Sequence, residues 1–167
     1  MKAIVAVDLN WAIGCKGNLL ERIPEDMRFF KQMTLGKVVV MGRKTFESLP
    51  GKEPLKDRVN IILSKSGDFE NDKIIVCPSL DELFCELKKY NSDDIFIIGG
   101  EAVYTLLLPY CSEAYVTKID NEYPADKYFP NLDEMGEWEQ VSISEAKEYN
   151  NIRYSFLKYV NKSPKVL

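Results

Sequence analysis

The chain has 167 residues, 46% hydrophobic and 29% charged, with a formal net charge of −4 and no histidine. That length and balance suit one globular domain with its own core and exclude a disordered chain. The negative charge without any basic run argues against a nucleic-acid surface, and no apolar run approaches membrane-spanning length.

Residues 1–5 carry too short an apolar run for a signal peptide, so the expected location is the cytoplasm. Ile4-Val5-Ala6-Val7 reads as a strand covered on both faces, in the middle of a sheet. Residues 8–20 hold turn formers, Gly14, Gly17 and Asn18, among exposed-looking apolar side chains, Trp11, Ile13, Leu19 and Leu20. A long structured loop of this kind suits a lid.

Residues 23–33 read as a helix with Pro24 at its first position. At about 100° per residue, Ile23, Met27, Phe29, Phe30 and Met33 share one arc, and Asp26 falls near its middle. Glu25, Arg28, Lys31 and Gln32 fall opposite. Two readings of Asp26 stand together. A first-turn acid favours the helix dipole, although Glu25 already serves that need from the polar side. A carboxylate aimed into an apolar face is desolvated, and such groups mark functional sites.

Gly36 suits the C-terminal cap of that helix, and 37–41 a buried strand. A short helix follows at 45–49, a loop at 50–54, and strands at 58–63 and 73–77. Ser79 with Glu82 forms a capping box ahead of a helix whose stripe is Leu80, Leu83, Phe84 and Leu87. A strand at 94–98, a helix through Val103, Tyr104, Leu107 and Leu108, and a strand at 114–119 come next. Residues 138–144 and 151–160 alternate as an antiparallel pair. The expected fold is therefore α/β: a single domain over 1–161, with a mixed, mostly parallel central sheet of about eight strands and an antiparallel C-terminal strand. About four helices flank it, and 162–167 form a polar, mobile tail. Cys15, Cys77, Cys85 and Cys111 contain no CxxC pair, so four reduced, mostly buried thiols are expected, with no metal site. Without histidine, proton chemistry must come from Asp, Glu, Tyr, Lys or water.

Three strand ends share a pattern: Gly42-Arg43-Lys44-Thr45 after Met41, Ser64-Lys65-Ser66 after Leu63, and Gly99-Gly100-Glu101 after Ile98. Ligands of open α/β sheets bind beyond the carboxyl ends of the strands. Free backbone N–H groups favour phosphate there, and glycine permits close approach. Arg43, Lys44 and Lys65 add charge, and Thr45 and Ser64 add hydroxyls, which suits a ligand with several phosphates. There is no GxGxxG after the first strand and no GxxxxGK[ST], which disfavours Rossmann and P-loop readings.

These pieces, in this order, resemble dihydrofolate reductase of the bacterial chromosomal type. The matching residues are Ile4-Val5-Ala6-Val7, Ile13-Gly14, residues 23–31, residues 40–48, residues 60–64 and residues 98–104, and the likeness runs from Met1 to about Val160. The resemblance implies reduction of 7,8-dihydrofolate by NADPH in a monomer that binds antifolates. It implies that Asp26 binds the pterin, bonded to Thr117, and that Ile4, Val5, Met27, Phe30, Leu49, Leu55 and Ile98 line the pterin and benzoyl pocket. Arg58 would grip the glutamate carboxylate, a task for its bidentate fork. Ala6, Ile13, Gly14, Asn18 and Leu19 would cover the nicotinamide. Gly42, Arg43, Lys44, Thr45, Leu63, Ser64, Lys65, Ile98, Gly99, Gly100, Glu101, Val103 and Tyr104 would hold the rest of the cofactor, with Arg43, Ser64 and Lys65 favouring its 2′-phosphate. A cis peptide between Gly99 and Gly100 is also implied.

The chain departs from that pattern at two places. Glu21 stands where the family usually has Trp or another apolar residue, and a second carboxylate pointing inward would raise Asp26 by like-charge coupling. Its expected orientation is partly exposed. Ala102 stands where some relatives have Arg. A pyrimidine reductase of riboflavin synthesis shares the fold but would not need Asp26 together with Arg58, and a non-catalytic nucleotide-binding module would not need the pterin acid.

Overall fold

Strands apolar on both faces require cover on both, and the computed structural model, which describes residues 1–69 and 71–167, supplies it. In chain order the elements are β1 (Lys2–Val7), β2 (Ala12–Cys15), β3 (Asn18–Leu19), α1 (Pro24–Thr34), β4 (Val38–Gly42), α2 (Arg43–Ser48), β5 (Val59–Leu63), β6 (Ile74–Cys77), α3 (Leu80–Leu87), β7 (Ile95–Gly99), α4 (Glu101–Leu107), β8 (Glu113–Ile119), β9 (Lys127–Tyr128), β10 (Trp138–Ile143), β11 (Lys147–Tyr149) and β12 (Ile152–Asn161). The main sheet is nine-stranded in the order β10-β12-β8-β1-β7-β4-β5-β6, with β11 also on β12. Strands β8, β1, β7, β4, β5 and β6 run parallel, and β12 is antiparallel to β8, β10 and β11.

Val39, Val40 and Met41 of β4 are 0% exposed, each contributing roughly 1.5–3 kcal/mol of burial. One face of the sheet meets α3 and α4 through Leu83, Leu87, Val103, Tyr104 and Leu107. The other face carries Ile4, Met41, Ile62 and Phe96 against Phe29, Phe30 and Met33 of α1 and Phe46 of α2. Two parallel neighbours, β1 and β7, part in mid-sheet. β1 stays in register with β8 through Val7, but with β7 only as far as Ala3 opposite Ile97. Where β1 and β7 part, the buried Tyr104 hydroxyl donates to the Ile4 carbonyl at 2.7 Å.

Several expectations are corrected. Residues 8–20 are not a plain loop: β2 and β3 form a hairpin, and β9 adds to it as a separate three-stranded sheet. Trp11 is buried, stacked on Phe129, with Lys118 Nζ 4.6 Å from its ring centre. Its partners lie more than a hundred positions away, so no local pattern shows them. The alternating C-terminal segments do pair, but β12 also lies between β10 and β8, and β11 was missed. Helix α2 starts at Arg43 rather than 45, and Leu35 rather than Gly36 caps α1, with Gly36 at φ +74 donating to the Asp57 carbonyl. The tail is engaged: Lys165 N donates to the Pro109 carbonyl, and Leu167 packs on the core. Of the four free cysteines, Cys77 and Cys111 are buried, while Cys85 is exposed. Among the described residues no helix is long and apolar enough to cross a membrane.

Candidate active site

Asp26 sits in the first turn of α1, within reach of β8. Pro24 opens the helix after the buried, extended Ile23, so α1 starts at a fixed place over the sheet. Thr117, buried on β8, donates its hydroxyl to Asp26 Oδ1 at 2.5 Å. Burial raises the Asp26 carboxyl above the usual range, the Thr117 bond partly opposes that, and the neighbouring Glu25 anion adds to the rise. A partly buried acid with one hydroxyl partner keeps lone pairs free for a cationic or amidine-like donor. Two shallow grooves, of about 350 Å³ and 250 Å³, flank Phe29, and neither is lined by Asp26.

The residues expected to wall the pterin and benzoyl pocket differ in burial. Ile4 and Val5 are buried on β1, and Phe30, Leu49, Leu55 and Ile98 are half-buried around the α1–α2 face of the sheet. Met27 is 49% exposed, so it lies at the edge of the helix face rather than within the packed arc. Arg58 is held in place: Nε donates to the Lys56 carbonyl at 2.9 Å and NH1 to Thr34 Oγ1 at 3.1 Å. Partial desolvation pushes its guanidinium below its ordinary value, and the neighbouring Asp57 opposes the fall.

The loop carrying Leu55 and Arg58 is fixed by a residue the sequence reading missed. Asn60, buried on β5, accepts from Leu55 N at 2.9 Å and donates to the Leu55 carbonyl at 2.9 Å and the Arg58 carbonyl at 3.0 Å. An Asn in an apolar strand, bounded by Val59 and Ile61, was the available signal. Asn60→Ala is expected to lose about 2–4 kcal/mol, since three partly buried backbone groups lose their partner. Denaturant unfolding checks this; a loss under about 0.5 kcal/mol would show that the loop holds itself.

The three strand ends do converge. Arg43 at the start of α2 bonds Glu47 at 2.6 Å and Ser66 Oγ beyond β5, and its guanidinium lies 4.9 Å from the Phe69 ring centre. Ser64 is buried and donates to the Ser66 carbonyl at 3.0 Å, Leu63 is half-buried, and Lys44 and Lys65 are exposed. The peptide between Gly99 and Gly100 is cis, and Gly99 has φ +142. A Cβ on Gly99 would come within 3.2 Å of Thr45 Oγ1, and one on Gly42 within 3.2 Å of Val103 Cγ2. Bare backbone thus faces Thr45 and Val103 at adjoining strand ends, a cradle that suits a phosphorylated nucleotide.

Three expected site residues are otherwise engaged. Glu21 accepts from the Tyr123 hydroxyl at 3.2 Å and is not among the charges that raise Asp26. The Glu101 carboxylate accepts from Tyr128 N at 3.3 Å and faces Lys127 at 3.9 Å, tying α4 to β9. Tyr104 is a core ring bonded to β1. Of the residues expected to cover the nicotinamide, Ala6, Ile13 and Gly14 are half-buried, whereas Asn18 and Leu19 are exposed, Leu19 by 65%. A Cβ on Gly14 would meet the Asn18 carbonyl at 3.1 Å, which closes the β2–β3 hairpin to larger residues. Asp8, fully buried and also missed, accepts from the backbone of Asn10, Ala12 and Tyr123 and pins this segment to the one after β8.

A family model described as dihydrofolate reductase matches residues 1–161. Dihydrofolate reductase of Bacillus subtilis (strain 168) is 37% identical over 164 residues, covering 96% of this chain and 94% of its own length. That of Mycobacterium tuberculosis (strain ATCC 25618 / H37Rv) is 39% identical over 147 residues, covering 79% and 88%. The solved structure of dihydrofolate reductase from Enterococcus faecalis, complexed with NADP(H) and RAB-propyl, superposes with a TM-score of 0.85 at 30% identity, over 97% of this chain and 96% of that one. A family model over residues 1–161, together with relatives of 37% and 39% identity aligned over most of their length, shows that the chain belongs to the dihydrofolate reductase family.

Proposed function

We propose that the chain reduces 7,8-dihydrofolate to 5,6,7,8-tetrahydrofolate with NADPH, and that Asp26 anchors and polarises the pterin. The observation that carries this reading is the partly buried Asp26 carboxylate bonded to Thr117 at 2.5 Å. Its free lone pairs suit the paired N–H donors of the pterin edge. Thr117 fixes the carboxylate plane, while Ile4, Val5, Phe30, Leu49, Leu55 and Ile98 exclude water from the ring and the benzoyl group. Arg58 meets the glutamate α-carboxylate.

The residues at the strand ends fit NADPH: Gly42, Gly99 and Gly100 leave backbone bare, Thr45 and Ser64 offer hydroxyls, and Arg43 and Lys65 suit a 2′-phosphate. When bound, that cofactor supplies the hydride received by the imine carbon of the pterin. The imine nitrogen takes a proton from water, and Asp26 holds the ring polarised for it. The Asp26–pterin pair holds one more proton below the raised Asp26 value than above it. The chemical step is therefore fast at low pH and falls roughly tenfold per pH unit above that value.

Mixing the protein with NADPH and dihydrofolate and following reduced-nicotinamide absorbance tests the reading; no folate-dependent oxidation overturns it. Turnover of a ribosylated diaminopyrimidine instead would place the chain with the reductases of riboflavin synthesis. Because Tyr123 holds Glu21, Glu21→Gln is expected to leave the midpoint of the pH–rate profile within about 0.2 unit. A larger downward move would mean that Glu21 turns toward Asp26 during turnover.

A further inference from the structure

The first turn of α1 carries two adjacent acids, and adjoining strands supply a hydroxyl to each. Thr117 on β8 donates to Asp26. The Tyr154 phenol on β12 donates to Glu25 Oε2 at 2.5 Å, and Lys147 Nζ on β11 lies 3.1 Å from Glu25 Oε1. Register brings these donors together. Phe156 lies opposite Thr117, Tyr154 opposite Ile119, and Lys147 opposite Tyr154. All five point to one face of the sheet, because opposed residues and i, i+2 neighbours share a face. Tyr154 is 3% exposed, yet its single proton goes to a glutamate whose side chain is 38% exposed. A first-turn acid that served only the helix dipole would need neither partner.

We propose that Glu25 is a positioning residue for Asp26: pinned by Tyr154 and counterbalanced by Lys147, it seats the first turn of α1 on β8 and sets the charge beside the Asp26 carboxylate. This inference rests on the reading of Asp26 as the pterin acid. The groups around Asp26 leave Glu25 and Lys147 as the adjustable charges. Thr117 on β8 is neutral, and Tyr104 from α4 and Tyr154 from β12 are phenols raised by burial, so they stay protonated. Tyr123, likewise raised by burial, engages Glu21 at the mouth of the site. Arg28 is exposed on the solvent side of α1 and acts on Glu25. Tyr154 and Lys147 in turn hold Glu25 below the usual carboxylate range, so it is an anion wherever Asp26 titrates.

The test titrates the Asp26 carboxyl by carbon-13 NMR in the cofactor-free protein and measures the pH profile of the chemical step in parallel. Glu25→Gln removes the adjacent anion and is expected to lower the Asp26 midpoint by about 0.3–0.5 unit. Lys147→Met exposes the full Glu25 charge and is expected to raise it by about as much, while Lys147→Arg restores the original midpoint. Thermal melting confirms that each variant is folded, and Lys147 is surface enough that its variants keep the test open if Glu25→Gln unfolds. Midpoints that stay put in both variants, or move in the same direction, overturn the proposal. Opposite shifts by NMR with a chemical step independent of pH would instead overturn the reading of Asp26 and leave the coupling standing.

Discussion

Asp26→Asn slows the chemical step by about 10²–10⁴-fold and removes its dependence on pH, the range by which a positioned acid–base group contributes. The amide keeps an oxygen for Thr117 but presents N–H where the pterin edge needs an acceptor, and it carries no charge to polarise the ring. Rapid-mixing measurement of the absorbance change, over a pH series, checks both parts. A variant that keeps a sloping profile would mean another group controls protonation. The same substitution has an effect on stability with a definite sign. The Asp26 value is raised on folding, chiefly by desolvation. Its contribution is therefore fully present below the unfolded-chain value of about 3.9 and is lost as pH rises through the folded value. Above that value the wild type carries an ionised, desolvated acid, so Asp26→Asn melts at a higher temperature at neutral pH, and the difference narrows as the solution is acidified. An equal melting difference at all pH values would contradict a desolvated acid.

Arg58→Leu raises KM for dihydrofolate by about 30- to 100-fold, or about 2–3 kcal/mol, with kcat within about twofold. The guanidinium is already oriented by Thr34 and the Lys56 carbonyl, so in the proposed role it would bind the α-carboxylate without first being ordered. Thr34 keeps its own bond to the Phe30 carbonyl in the variant, so folding loses only about 1 kcal/mol. The control is dihydropteroate, which lacks the glutamate: its KM should be the same for wild type and variant. A variant that loses affinity for both compounds would show that Arg58 shapes the pocket rather than binding the carboxylate.

The two acids of α1 show what could be read locally and what could not. The helical period placed Asp26 on the apolar side of α1 and Glu25 on the polar side, and both positions stand. From the sequence alone Glu25 reads as serving the helix dipole, because its partner Tyr154 lies 129 residues away. Glu21 was read as a neighbour that would couple to Asp26 if it turned inward. Its bond goes to Tyr123 instead, 102 residues away, and Glu25 is the anion that acts on Asp26. Asn60 and Asp8 were passed over for a related reason: a buried polar side chain shows its importance only through the backbone groups it satisfies, and Asp8 reaches one of them 115 residues away.

The sequence by itself determined the parallel sheet, since strands apolar on both faces have no stable place except under two layers of helices. It also determined the acid on the α1 face and the glycine-bearing strand ends, because periodicity and backbone freedom are local properties. Only the tertiary structure decided the parting of β1 from β7, the entry of β12 beside β8, and hence which hydroxyls and cations reach Glu25 and Asp26. Those features depend on strand register and on hydrogen bonds closed across more than ninety residues, which follow from the packing of the whole chain rather than from any stretch of it.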